Sequence, residues 1–161
     1  MNIGQLMTQN VRACRSEDTL DTAAQIMWDN DCGCVPVIDA HRRVVGMLTD
    51  RDICMAAYTQ GGGLRMLRVS SAMSKKVYSC KPEDTLAAAE ELMHANLIRR
   101  LPVTDAEGHL VGIISLNDIA REAQSEQTRA KKEVTTDEVG LTLAAICSPR
   151  LPRAVAPAAA A

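Results

Sequence analysis

The chain has 161 residues, 47% of them hydrophobic, and 18 basic against 20 acidic side chains give a net charge of −2. That is enough apolar material for one domain or two small packed units, and the balanced charge gives no footing for a nucleic-acid surface. Phenylalanine is absent and aromatics make up 2%, so Val, Ile, Leu, Met and Ala must fill the core, and a flat ligand would be held by aliphatic side chains and backbone.

Met1 to Cys14 lacks a basic start followed by an apolar core, and no apolar run reaches the length that spans a bilayer. A cytoplasmic protein without membrane contact is expected. Met7 to Cys14 reads as a lead-in and a short strand. Glu17-Asp18-Thr19-Leu20 then opens a helix reaching about Asn30, with Leu20, Ala23, Ala24, Met27 and Trp28 spaced for one buried face.

A glycine turn at Cys32-Gly33-Cys34 leads into Val35-Pro36-Val37-Ile38, a short apolar strand whose proline predicts an edge or strand-start position. Asp39 to Arg43 supplies a polar turn, Val44 to Thr49 the next strand, and Asp50 to about Gln60 the next helix. Gly61-Gly62-Gly63 ends it.

That order of elements recurs at an offset of 66 residues, carrying Gly46 onto Gly112. Met7 falls on Met73, Cys14 on Cys80, Glu17-Asp18-Thr19-Leu20 on Glu83-Asp84-Thr85-Leu86, Pro36-Val37 on Pro102-Val103, and Asp52-Ile53 on Asp118-Ile119. This is a tandem internal repeat. Two such copies can bury their apolar sheet faces about a pseudo-twofold axis, leaving a cleft that holds two related strand-to-helix junctions. Beyond the repeats, Arg121 to Glu133 reads as a solvated helix or linker, Asp137 to Ile146 as a short helix, and the Pro- and Ala-rich end from Pro149 as a loose tail.

Each junction is Gly-x-x-[Thr/Ser]-x-x-Asp: Gly46, Thr49 and Asp52, then Gly112, Ser115 and Asp118. A hydroxyl residue at a helix start with a carboxylate three positions on is a capping box. An ionised carboxylate is also an acceptor-only group suited to two vicinal hydroxyl donors, and the helix start beside it favours phosphate.

These motifs, recurring in order, resemble the cystathionine-β-synthase (CBS) domain family, as a stand-alone pair of such domains covering about residues 1 to 122. The resemblance implies an α/β fold of two tandem β-α-β-β-α repeats packed about a pseudo-twofold axis. Repeat 1 would span residues 1–62 and repeat 2 residues 63–122, with a helical or flexible C-terminal extension at 123–161.

It implies an adenosine-containing ligand in the inter-repeat cleft, AMP foremost, with ADP, ATP, NAD and S-adenosylmethionine as the other candidates. It also implies association of two pairs into a flat homodimeric disc. Asp52 and Asp118 would accept from the ribose diol, Thr49 and Ser115 would contact ribose or phosphate, and Arg99 and Arg100 would contact phosphate, with Arg51 as an additional phosphate contact. On the pseudo-twofold arrangement both arginines are expected to face Thr49 and Asp52, making that the favoured site for a phosphorylated ligand. The site on Ser115 and Asp118 would have only Gly33-Cys34 opposite it.

The six cysteines show neither C-x-x-C zinc spacing nor the density of a disulfide scaffold. Most are expected to be buried thiols, and no metal site is expected. His41, His94 and His109 are scattered without a nucleophile–base pair, so the expectation is a regulatory binding module acting on an unidentified partner protein, not an enzyme. The alternative is a redox-responsive interaction adaptor working through Cys32 and Cys34.

Overall fold

The computed structural model describes residues 1–125 and 134–147. In the first repeat, strand β1 (Cys14–Arg15) precedes helix α2 (Leu20–Asp29), strands β2 (Cys34–Ile38) and β3 (Val44–Thr49), and helix α3 (Asp50–Gln60). A short helix α1 (Ile3–Leu6) comes before them all. The second repeat supplies helix α4 (Leu86–Asn96), strands β4 (Arg100–Thr104) and β5 (Leu110–Ser115) and helix α5 (Leu116–Ser125); helix α6 (Thr136–Ile146) follows. The architecture is therefore mixed α/β with two tandem repeats, as the sequence repeat implies.

Local chemistry starts the helices in the same way in both copies. The hydroxyl of Thr19 accepts from the N–H of Thr22 to cap α2, and that of Thr85 accepts from Ala88 to cap α4. Leu20, Ala23 and Met27 are buried on α2, matched by Leu86, Ala89 and Met93 on α4. Trp28 departs from the expected buried face, with 85% of its surface exposed. It lies one residue beyond Met27, about 100° round the helix from the buried stripe.

In the first sheet the order is β1-β2-β3, with β1 parallel and β3 antiparallel to β2. Pro36 therefore sits in the middle strand, not at an edge. The sheet tolerates it because β1 pairs only with Val37 and Ile38, so the ladder on that side begins after the proline. The second sheet holds β4 and β5 alone, and the strand expected at Cys80 is reduced to a single parallel bridge with Val103. Both hairpins keep one register: Cys34 faces Thr49 and Arg100 faces Ser115, with an irregularity one residue before the end of β2 and of β4.

The lead-in segments cross between repeats. Ile3 is fully buried in the second core, among Met93, Leu101 and Ile114, while Val69 fills the corresponding place in the first, among Leu20, Val35 and Leu48. Each such side chain contributes about 1.5–3 kcal/mol by burial. Backbone pairing follows the same exchange, with Thr8 bridged to Ile113 and Ser74 to Met47. At the far end the two hairpin turns meet: Val44 N–H donates to Gly108 at 3.1 Å and Leu110 N–H to Arg42 at 3.0 Å. These two bonds are equivalent under the repeat, which places the pseudo-twofold axis between the turns.

The α6 helix lies on α4 and α5. It closes a capping box between Thr135 and Glu138 at its own start, and Val134 and Ile146 extend the second core. Of the region read as a solvated linker, the part up to Ser125 continues α5 and buries Ala123; residues 126–133 and the expected tail from Pro149 lie outside the described residues.

Candidate functional site

The two strand-to-helix junctions are built alike. The N–H and hydroxyl of Thr49 donate to Asp52 Oδ2 at 2.9 and 2.7 Å, and Thr49 Oγ1 accepts from Asp52 N–H at 3.2 Å. Ser115 and Asp118 repeat this at 2.9, 2.6 and 3.3 Å. The capping box is thus present twice, and each time it uses one carboxylate oxygen and leaves the other.

What happens to that other oxygen separates the copies. Among the described residues nothing donates to Asp52 Oδ1, and Asp52 is half-buried. Asp118 is buried at 6% exposure, and its Oδ1 accepts from Arg121 Nη2 one helical turn on. The residue equivalent to Arg121 in the first copy is Met55.

A cleft of about 420 Å³ opens beside the second junction, a volume in the range of small-molecule sites. Ser115, Asn117, Asp118, Arg121 and Arg100 of the second repeat line it together with Cys32, Gly33 and Cys34 of the first, and Thr8, Asn10 and Arg12 come from the lead-in. Three guanidinium groups, those of Arg12, Arg100 and Arg121, and the carboxylates of Asp31 and Asp118 are its charged groups.

Of the residues singled out in the sequence, this cleft brings together Ser115, Asp118 and Arg100. Thr49, Asp52 and Arg99 do not line it. Arg100 therefore lines the cleft with Ser115 and Asp118, and its Nη2 also comes near Gly33, beside Asp50 of the first junction. Register is the physical reason: Arg100 is the direct ladder partner of Ser115 across β4 and β5, so the hairpin ties it to its own repeat's junction. Arg99 is exposed, and its carbonyl accepts from Leu116 N–H at 3.0 Å at the start of α5. Arg51 is exposed as well.

Gly33 occupies the first-copy position equivalent to Arg99. A Cβ there would stand 2.9 Å from Asp50 Oδ2 and 3.5 Å from Arg100 Nη2, so the absence of a side chain lets the two repeats approach at the cleft. Cys34 beside it is buried, and its thiol is pushed up to about 11, chiefly by burial and against the opposing pull of Arg100. Cys32 is exposed. Cys14, Cys34 and Cys80 are buried, whereas Cys32, Cys54 and Cys147 are not, so thiol burial is less general than expected.

Sequence reasoning missed Arg12 and Arg121. The second was within reach, since a cation three residues after an aspartate on a helix is placed to pair with it. Arg12 lies in an irregular lead-in that no periodicity marks.

An internally duplicated α/β protein with a small-molecule-sized cleft between its halves is the class defined so far. Comparison with known sequences narrows it: the profile of the CBS domain matches residues 3–58 and again 69–125. The chain belongs to the CBS domain family. It is 35% identical over 127 residues to the CBS domain-containing protein YhcV of Bacillus subtilis (strain 168), covering 79% of this chain and 89% of that one. Two relatives that carry enzyme names are matched over only 24% and 27% of their own length.

Among solved structures, the CBS domain pair of protein MJ0100 in complex with 5-methylthioadenosine and S-adenosyl-L-methionine superposes with a TM-score of 0.72 at 20% identity, over 79% of this chain and 98% of that one. That likeness is one of fold. CBSX2 in complex with AMP gives a TM-score of 0.68 at 25% identity, over 77% and 96%. No described helix is long and apolar enough to cross a membrane.

Proposed function

We propose that this chain is a regulatory module that binds an adenosine-containing ligand in the cleft between its CBS repeats and signals through a change in its association with itself or with a partner protein. The observation that carries the reading is that Ser115, Asp118, Arg100 and Arg121 line one cleft. Asp118 offers a buried, fixed carboxylate to a ribose diol, and the arginines offer donors to phosphate. CBSX2, similar in sequence and fold, has been solved with AMP, which favours AMP over ADP, ATP, NAD and S-adenosylmethionine here.

The site is regulatory and not catalytic in this reading, because its charged groups are suited to holding a nucleotide and none is arranged as a nucleophile with a base. Association is proposed through α2 and α3, the helices of the first repeat that expose Trp28, Met55 and Tyr58, since exposed large apolar side chains are available for contact surfaces. A ligand acts on such an equilibrium only by binding one state better than the other.

Calorimetric titration with AMP, ADP, ATP, NAD and S-adenosylmethionine, together with solution mass in the presence and absence of each, tests the reading. Saturable binding of at least one, with a shift in mass or in partner capture, is the expected outcome. Failure of all five to bind would leave the junctions as helix caps only.

A further inference from the structure

We infer that Arg121 makes the cleft selective for anionic adenosine ligands, by occupying the ribose acceptor until a phosphate draws its guanidinium away; this rests on the adenosine-ligand reading above. The geometry begins with Asp118. Its Oδ2 is committed to the N–H and hydroxyl of Ser115, so a ribose diol must use Oδ1. That oxygen already accepts from Arg121.

A carboxylate oxygen has about two acceptor directions. A diol brings two O–H donors, and with Arg121 in place only one direction remains. Full recognition of the ribose therefore requires the guanidinium to leave. The pair is built for that asymmetry: the Asp118 side chain is 8% exposed and held by the junction, whereas the Arg121 side chain is 74% exposed and reaches in from solvent.

Once displaced, Arg121 needs another anion within the cleft. The described charged side chains there besides the pair are Arg12, Arg100 and Asp31. Arg12 and Arg100 repel it and Asp31 is the one competing anion among these, so a ligand phosphate adds a partner that a neutral nucleoside does not. A neutral nucleoside displaces Arg121 and gives nothing back, and a cationic sulfonium ligand adds repulsion. The same contact thus penalises uncharged and cationic adenosyl compounds and is neutral or favourable toward nucleotides. In the first repeat Met55 stands at the equivalent position and Asp52 Oδ1 carries no such guard, so this discrimination is confined to the second junction.

The test is calorimetric titration of the full chain with adenosine, AMP and S-adenosylmethionine, in wild type, Arg121→Met and Arg121→Lys. Arg121→Met should reduce the AMP-to-adenosine affinity ratio about tenfold, the scale of one charge-assisted hydrogen bond, while adenosine itself binds as tightly as before or more tightly. Arg121→Lys should keep part of the ratio, because it keeps the charge but not the fork. Thermal unfolding of both variants checks that the exposed substitution leaves the fold in place. An unchanged ratio in Arg121→Met overturns the inference, and so does an equal loss for AMP and adenosine, which would mark Arg121 as a structural support. If wild type binds none of the three, the adenosine reading falls first and the selectivity role with it.

Discussion

The two repeats share their register, their caps and most of their core, yet they end in different surroundings. On the first, α2 and α3 expose Trp28 and Tyr58 at 85% and 83% among the described residues. On the second, α6 covers the corresponding helices α4 and α5. At the junctions the contrast runs the other way: Asp118 is buried and paired with Arg121, while Asp52 is half-buried and, among the described residues, has one oxygen without a donor. The two halves thus differ in the pairing of the junction carboxylate and, among the described residues, in the covering of their helices. One backbone supports both because the differences sit in side chains and in an added helix, not in the ladder.

The comparison breaks most visibly in the core. Ile3→Ala should cost about 2–5 kcal/mol, the usual range for emptying a fully buried aliphatic site, and should loosen the second repeat although residue 3 belongs to the first stretch of the chain. Hydrogen exchange resolved by residue checks this. Faster exchange confined to residues 14–60 would contradict the crossed packing.

At the cleft, Asp118→Ala should weaken nucleotide binding by about tenfold to a hundredfold, the worth of hydrogen bonds to a charged group. Asp52→Ala should change it less. Titration of both variants decides the order, and a larger loss at Asp52 would return the site to the first junction. That larger loss is the outcome expected from the sequence.

Thiol chemistry sharpens the same contrast on the first repeat's side of the cleft. Cys32 should alkylate readily and Cys34 slowly at neutral pH, since burial holds the Cys34 thiol at about 11 and only the thiolate reacts. Saturating AMP should then protect Cys32, which lines the cleft. Mass spectrometry of labelled peptides reads both effects. Fast oxidation of Cys32 and Cys34 together would favour the redox adaptor instead.

The smallest expected effect concerns the covered face. Burial raises the Glu90 carboxyl above its ordinary value, opposed by the hydroxyl of Thr142 and reinforced by Glu138. A raised folded-state pKa means that this group's contribution is full below the ordinary carboxylate range and is lost as pH rises through the raised value. Glu90→Gln should therefore leave stability unchanged in acid and increase it slightly at neutral pH. Thermal melts across that interval provide the check, and a uniform shift at every pH would remove titration from the explanation.

Much of the fold was legible because the repeat and the local signals agreed. Val44–Thr49 and Asp50–Gln60 are bounded in the sequence by a polar turn, a hydroxyl cap and a triple glycine, and the structure has the same limits. The capping boxes were legible for the same reason, being wholly local. Trp28 was misplaced because helical spacing defines a stripe but not its edge. Pro36 was misplaced because nothing local reports how short β1 is. The seat of Arg100 depends on pairing between β4 and β5, and the fate of Asp118 Oδ1 on a rotamer of Arg121; neither is encoded in a motif. The exchange of Ile3 and Val69 was hidden further, since each opens one repeat in the chain but packs in the core of the other, and only the 66-residue offset relates them.

The crossed lead-ins set a schedule for synthesis. A ribosome delivers residues 1–8 first, but the surface that receives Ile3 is complete only after Ile114 has emerged, a delay on the order of ten seconds at ordinary elongation rates. The first repeat in turn stays open until Val69 and Ser74 arrive from beyond the glycine run at Gly61 to Gly63. Two fragments divided within those glycines would each carry the plug that the other lacks, so they should assemble when expressed together and fail when expressed apart.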